Sequence, residues 1–292
     1  MRIFARHAVS RVGTRSWLIL VILSVAPLVS GATLRRIVSA SPAFTEMLFA
    51  IGAGDRVVGV TDYCRYPAAA ARCEKIGGYA DMNFEKLLAV KPDLVVFADY
   101  ASRMREQCVA AKFATLELKA HSVADILDAI ERLGRATGCE KKARAVAGNL
   151  RGELEKIRAA TAKPPRRTLL IVGRTRDSFQ NLLSVGPGGF LNDLLLIAGG
   201  VNALGDTRQP WPQINLETVM ARRPEVIVEI VGEAMGDEAS AADVARRKRE
   251  WAGFSSIPAV AAGRVSVLTS DHALIPGPRL VDTARALAEL LR

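Results

Sequence analysis

The chain has 292 residues, half of them hydrophobic, with 40 basic against 30 acidic side chains and a formal charge of +10. Four of those charges, Arg2, Arg6, Arg11 and Arg15, lie ahead of Trp17, and the rest are scattered apart from small clusters at Arg166-Arg167 and Arg246 to Arg249. Dispersed, mild basicity without a recognisable module argues against a nucleic-acid binder, and the length suffices for one large domain or two modest ones with real cores.

In chain order, the basic start carries no acid and leads into an apolar run, Trp17 to Val29, and then Ser30-Gly31-Ala32. A basic region, a short apolar core and a small-residue exit describe a secretory signal cleaved near Ala32. The apolar run is broken by Pro27 and is shorter than the roughly 20 residues of a membrane span. In an exported protein the four cysteines, Cys64, Cys73, Cys108 and Cys139, suggest disulfides. Cys64 with Cys73, closing a short loop that contains Tyr66 and Pro67, is the favoured pair. Cys108 and Cys139 either pair as well or remain buried thiols. The spacing is wrong for a zinc ribbon, and no His/carboxylate cluster marks a metal site.

A short strand over Arg36 to Ser39 precedes Ser41-Pro42, a helix-start signal with Ser as cap and Pro in the first turn. Phe44, Leu48 and Ile51 keep helical spacing up to Gly52 and Gly54, Val57 to Val60 reads as a second strand, and Tyr63 to Ala71 as a loop. Leu116 to Leu118 is a further strand, and Val123 to Thr137 a helix stopped by Gly138. Glu140 to Ala162, rich in Ala, Lys, Arg, Glu and Leu and ended by Pro164-Pro165, reads as one long helix at the chain's midpoint. Thr168 to Val172 is a strand, Gly186 to Gly189 a turn, Phe190 to Ile197 a helix, Val265 to Leu268 a last strand and Asp282 to Leu291 a closing helix.

Two stretches repeat each other at an offset of 132 residues: NFEKLLAVKPDLVVF from Asn83 and NLETVMARRPEVIVE from Asn215. Each reads as cap, helix, stop, strand. Asn83 and Asn215 are the caps, Glu85 and Glu217 sit where a carboxylate favours the helix dipole, and Pro92 and Pro224 enforce the stop. A fainter repeat matches Phe44, Leu48, Ile51 and Gly54 with Phe190, Leu194, Ile197 and Gly200. Alternating strands and helices imply α/β units with mainly parallel sheets. The fold expected is two similar α/β lobes joined by one long bridging helix, with a ligand cleft between them. The boundaries are 1–32 for the signal, 33–139 for the first lobe, 140–163 for the bridge and 164–292 for the second lobe.

The ordered set SPAFTEMLFAIGAGDRVVGVTDYCRYP, GGYADMNFEKLLAVKPDLV, QPWPQINLETVMARRPEVIV and VLTSD resembles the periplasmic substrate-binding proteins of ABC importers for cobalamin, haem and ferric siderophores. The Pro-Trp-Pro-Gln stretch at Pro210 to Gln213 most resembles the cobalamin-binding branch. The resemblance implies a periplasmic receptor, monomeric and without catalysis, that captures a corrinoid and delivers it to a permease dimer in the inner membrane. The alternative it leaves open is a haem or ferric-siderophore receptor of the same class. It implies no cofactor beyond the cobalt or iron that the cargo carries. It also implies that Glu85 and Glu217 dock into arginine pockets on the two permease subunits; read from the residues alone, they are first-turn acids.

A flat macrocycle needs aromatic walls and a few placed polar groups. Tyr63 and Tyr66 stand in the loop after the second strand, Tyr79 just before the first cap and Trp211 just before the second. The resemblance places Tyr63, Tyr79, Trp211 and Asp271 in the cleft. Tyrosine at 79 departs from the tryptophan usual in the cobalamin branch and resembles the iron-ligating tyrosine of haem binders. A cation usual shortly after Asp271 is missing, with Ile275 and Pro276 in its place. Arg174 and Arg176 either meet ligand carboxylates or lie on a solvated loop. For an enzyme the signs are poor: no G-x-S-x-G elbow and no phosphate loop, and only His121 and His272 follow the signal.

Overall fold

The computed structural model describes residues 35–78, 81–161, 164–232 and 240–292. The expected signal and Tyr79 lie outside the described residues. The chain begins with β1 (Ile37–Ser39), α1 (Pro42–Ala50), β2 (Val57–Val60), β3 (Glu74–Lys75), α2 (Phe84–Ala89) and β4 (Leu94–Ala98). There follow α3 (Ser102–Ala110), β5 (Thr115–Leu118) and α4 (Val123–Thr137). These strands form a parallel sheet in the order β3-β2-β1-β4-β5. β4, Leu-Val-Val-Phe-Ala, is buried throughout, the unbroken apolar run expected of a strand covered on both faces. α1 starts where Ser41 and Pro42 predict, although the Ser41 side chain makes no capping bond. α4 opens on a capping box between Ser122 and Asp125 and closes on Gly138 at φ 68°, a left-handed turn that glycine adopts without strain.

The long helix is α5 (Glu140–Ala160). Beyond it lie β6 (Arg166–Gly173), β7 (Leu182–Ser184), α6 (Phe190–Ile197), β8 (Gly200–Asn202), β9 (Gln213–Ile214) and α7 (Leu216–Arg222). The chain continues through β10 (Val226–Val231), α8 (Ala241–Trp251), α9 (Pro258–Ala261), β11 (Val265–Thr269) and α10 (Leu280–Leu290). The second sheet runs β11-β10-β6-β7-β9, with β8 pairing the start of β6; β7 is antiparallel to both its neighbours.

The repeated sequence unit builds the same latch twice. Asn83 and Asn215 each accept the N–H three residues on, from Lys86 at 3.0 Å and Thr218 at 2.9 Å. The residues before the prolines, Lys91 and Arg223, both take left-handed backbone, φ 43° and 47°, which ends the helix at a small conformational cost. The acid after each proline then accepts backbone N–H groups at the start of the central strand. Asp93 takes Arg35 and Arg36 at 2.8 and 2.9 Å, and Glu225 takes Arg167 at 2.8 Å. Arg36 and Arg167 return the contact, each donating Nε at 2.8 Å to the end of the preceding helix, at Val90 and Arg222. Across the swap of Asp for Glu the bond to the arginine N–H is kept, while the second N–H, from Arg35, is accepted only by Asp93.

Helices α1, α4, α5, α6 and α10 pack on one another. Their apolar faces merge with residues of both sheets into one core, from Ile37 and Val96 in the first to Leu170 and Val228 in the second. Each sheet also covers a smaller core of its own, around Phe97 and Leu87 and around Trp251 and Ile227. A core shared by both lobes ties them more firmly than a polar domain interface would.

The structure overturns two expectations. Cys64, Cys73, Cys108 and Cys139 are all free thiols. Cys64 is buried, with its sulfur 3.2 and 3.1 Å from the Thr45 and Thr61 hydroxyls, while the Cys73 thiol donates to the Val57 carbonyl. Burial pushes the Cys64 thiol up and the Cys108 thiol up to about 11, so neither is a ready thiolate. Arg174 lies neither in a ligand site nor on a solvated loop. Its side chain is 1% exposed and its Nε donates to the buried Glu229 at 3.0 Å. Glu229 also accepts from Arg247 at 2.8 Å and from the Trp251 indole at 2.6 Å, while Arg174 pairs with Glu250 and lies over the Phe179 ring. Packing of α8, unforeseen in the sequence, makes this a buried charge cluster of the second lobe. Arg176 is exposed beside Asp177.

Candidate functional site

In the first sheet the chain leaves β1 toward β2 on one side and reaches β4 on the other, so the strand order reverses at β1. Open parallel sheets bind ligands outside the carboxyl ends of their strands at such a point. The exposed aromatic groups follow that rule. Tyr63 and Tyr66 come after β2 and Tyr100 after β4, at 43%, 48% and 64% exposure. His121 follows β5, and Asp271 follows β11 in the second sheet.

A cleft of about 530 Å³ joins the two lobes. Tyr100 and His121 line it from the first, and Val172, Phe190, Trp211 and Leu274 from the second. A second hollow of about 550 Å³, with Asp81, Met82 and Ser102 on its wall, meets the first at Tyr100. The volume and the mixture of aromatic, aliphatic and few polar groups suit a small-molecule site.

Trp211 is presented on a braced loop. The carbonyls of its flanking prolines are both held, Pro210 by the Gly186 N–H at 2.8 Å and Pro212 by the Ser184 N–H at 2.9 Å. A Cβ at Gly186 would fall 2.0 Å from the Gln209 carbonyl oxygen, so this bracing requires glycine there. The ring, 42% exposed, therefore stands in the cleft as a preformed wall.

Tyr63, Tyr66 and Asp271 come together in a small polar corner with Glu46 and Arg279. Arg279, ahead of α10, donates Nη2 and Nε to Glu46 of α1 at 2.7 and 3.1 Å, and Nη1 to Asp271 at 2.7 Å. Its guanidinium stacks on the Tyr66 ring, 4.1 Å from the centroid. One arginine of the second lobe thus clasps a glutamate of the first. Burial pushes the Glu46 carboxyl above its ordinary range, with the Arg279 fork pulling the other way. At Asp271 burial also pushes upward, but Arg279 and His272 outweigh it and hold the carboxyl low. Arg279 thus sets a cation beside Asp271, three residues beyond Pro276.

In the larger cleft, the His121 Nε2 lies 2.9 Å from both oxygens of Asp99. The Tyr100 and His121 ring centroids are 6.4 Å apart. Burial and the Asp99 charge push the Tyr100 phenol up, so it stays protonated at neutral pH. Tyr100, His121, Glu46 and Arg279 were not singled out from the sequence as site residues. For Tyr100 and His121 the available signal was their place just after parallel strands. Nothing local marks the pairing of Glu46 with Arg279, 233 residues apart.

Glu85 and Glu217 are exposed second residues of α2 and α7, with the caps of both helices formed. One turn on, at the same offset of 132, Leu88 and Met220 are also exposed, at 46% and 44%. Both sites have the same local build.

Comparison with known proteins places this geometry. The profile of a periplasmic binding protein family matches residues 37–272. A vitamin B12-binding protein of Salmonella choleraesuis is 30% identical over 259 residues, 88% of this chain and 90% of the relative. The crystal structure of a periplasmic vitamin B12 binding protein of Vibrio cholerae superposes with a TM-score of 0.73 at 25% identity, covering 89% of this chain and 97% of that one. A periplasmic heme binding protein from Pseudomonas aeruginosa shares the fold, with a TM-score of 0.75 at 24% identity over 88% of this chain and 92% of its own.

Proposed function

The chain belongs to the periplasmic binding protein family, and from that premise we propose that it captures a corrinoid in the periplasm and hands it to an ABC importer of the inner membrane. Residues 1–32 serve as the cleaved export signal. The observation that carries the corrinoid reading is the similarity to a vitamin B12-binding protein across 88% of the chain. The cleft agrees with it: Tyr100 lines it from one lobe, and Trp211, Val172 and Leu274 from the other. The role proposed is binding, as membership of a binding-protein family supports. Glu85 and Glu217 are the handles for the importer, one per lobe; opposite charge steers such encounters and fixes their register.

Titration calorimetry of the mature chain with cyanocobalamin, cobinamide and ferric haem tests the cargo. The expected result is one equivalent of corrinoid bound and recovered unchanged. Haem saturating the protein with a shifted Soret band, while both corrinoids fail to bind, would overturn it. For the handles, Glu85→Lys with Glu217→Lys should abolish uptake in cells and leave corrinoid affinity at the wild-type value. Loss of affinity with uptake otherwise intact would assign these residues elsewhere.

A further inference from the structure

We propose that His121 is an axial ligand to the metal of the bound macrocycle, through Nδ1, with Asp99 as its positioning residue. The inference rests on the reading of the cargo as a metallated planar ring, and nothing in the family match assigns it.

His121 lines the same cleft as Trp211 and Tyr100. Its Nε2 sits 2.9 Å from each oxygen of Asp99. An ionised carboxylate only accepts, so the neutral imidazole must carry its proton on Nε2 and its lone pair on Nδ1. Among the described residues Nδ1 has no hydrogen-bond partner. A histidine that donates one ring N–H to a carboxylate and offers the other nitrogen is the usual form of a metal-ligating imidazole, because the carboxylate fixes the tautomer and raises ligand basicity.

The backbone beneath the ring is held from both lobes. Ser122 caps α4 through the Asp125 N–H, and the Val123 N–H donates to Asp193 of α6 at 2.9 Å. Asp99, only 21% exposed at its side chain, keeps the ring from swinging away.

The described residues contain no group of three or more His, Cys, Asp or Glu side chains able to hold a bare ion. A macrocycle removes that requirement, since it brings four equatorial donors with its metal and leaves an axial position that a single protein donor can fill. Other donors nearby are ill suited. The Tyr100 phenol is held protonated. His272 does not line the cleft that holds Tyr100 and Trp211. In the ligation step the Nδ1 lone pair forms a bond to the metal and one axial water leaves. No proton moves, and no oxidation state changes.

The test uses the mature protein and aquacobinamide, a corrinoid whose axial positions carry exchangeable water. Calorimetry reads binding, and the visible spectrum reads ligation. Wild type should bind one equivalent and take the spectrum of aquacobinamide treated with free imidazole. His121→Ala should bind one equivalent at least roughly tenfold more weakly, keep the aqua spectrum, and regain the ligated spectrum when imidazole is added. Asp99→Asn should ligate but bind roughly tenfold more weakly, the size of effect seen when an outer-shell partner is lost. Two outcomes overturn the proposal and are distinct. If wild type and His121→Ala both bind with the aqua spectrum, axial ligation is wrong while the corrinoid reading stands. If wild type does not bind aquacobinamide, the corrinoid reading fails and this inference fails with it.

Discussion

Replacing Arg279 with alanine removes the clasp between the lobes, and the structure sets the scale of the damage. Glu46 has a side-chain exposure of 2% and loses both its charge-assisted bonds. Stripping the partner from a buried ion pair costs about 3–5 kcal/mol, because the remaining charge is left in a poorly solvating site. Loss of the Tyr66 stacking adds about 0.5–1 kcal/mol. Asp271, half exposed, adds little, since water screens it. At about 2–4 °C per kcal/mol for a chain of this size, the melting temperature should fall by roughly 7–24 °C. The deficit should also depend on pH. Burial already raises the folded-state pKa of Glu46 above the ordinary 4.5, and without Arg279 it rises further. A raised folded pKa confers stability that is complete below the unfolded value and is lost as pH climbs through the folded one. Arg279→Ala should therefore sit nearest to wild type at about pH 4 and fall furthest behind at pH 8. Adding Glu46→Gln should recover most of the loss at neutral pH by removing the stranded charge. Urea unfolding of the three proteins from pH 4 to 8 measures all of this. A deficit under about 1 kcal/mol, the scale of an exposed pair, or one that is flat with pH, would refute the reasoning.

Three further outcomes follow from other parts of the molecule. Arg174→Ala strands part of the buried Glu229 cluster, so it should cost about 3 kcal/mol or more in stability while leaving corrinoid affinity unchanged in calorimetry; a stable variant with weakened binding would return Arg174 to the ligand site. Alkylation of the unreduced, unfolded mature chain should label four cysteines by mass spectrometry, matching the free thiols, and two labels would mean that a disulfide exists. Trp211→Ala removes a rigid aromatic wall, an anchor of the kind worth about 2 kcal/mol or more, so the dissociation constant should rise by roughly 30-fold with the unfolding midpoint unchanged; an unaltered constant would put the ligand elsewhere.

Much of the fold was legible because local chemistry and tertiary packing agree. The predicted ranges of α4 and α6 coincide with those observed, since glycine stop and apolar spacing point the same way. The repeated unit was legible for a similar reason: its caps, prolines and acids each make a local bond. Elements that depend on distant partners were not seen. β8 and β9 are two or three residues long and exist by pairing with β6 and β7, while α8 is polar over most of its length and is fixed by Trp251. The site divides in the same way. Trp211, Tyr63, Tyr66 and Asp271 were expected there from loop position and resemblance, and the structure sets Trp211 on the cleft and the other three in the polar corner. Arg174 looked free because its two acids arrive from β10 and α8, 55 and 76 residues later. Arg279 reaches Asp271 from a position where sequence spacing gave no reason to look.

The central claim is that cargo lies between the lobes against Trp211. A crystal structure of the mature protein with cobalamin tests it most directly. The account predicts the corrin ring in the cleft shared by Tyr100, His121 and Trp211, with Asp271 and Arg279 at its polar edge. Density for the corrin on an outer face, with Trp211 untouched, would contradict it.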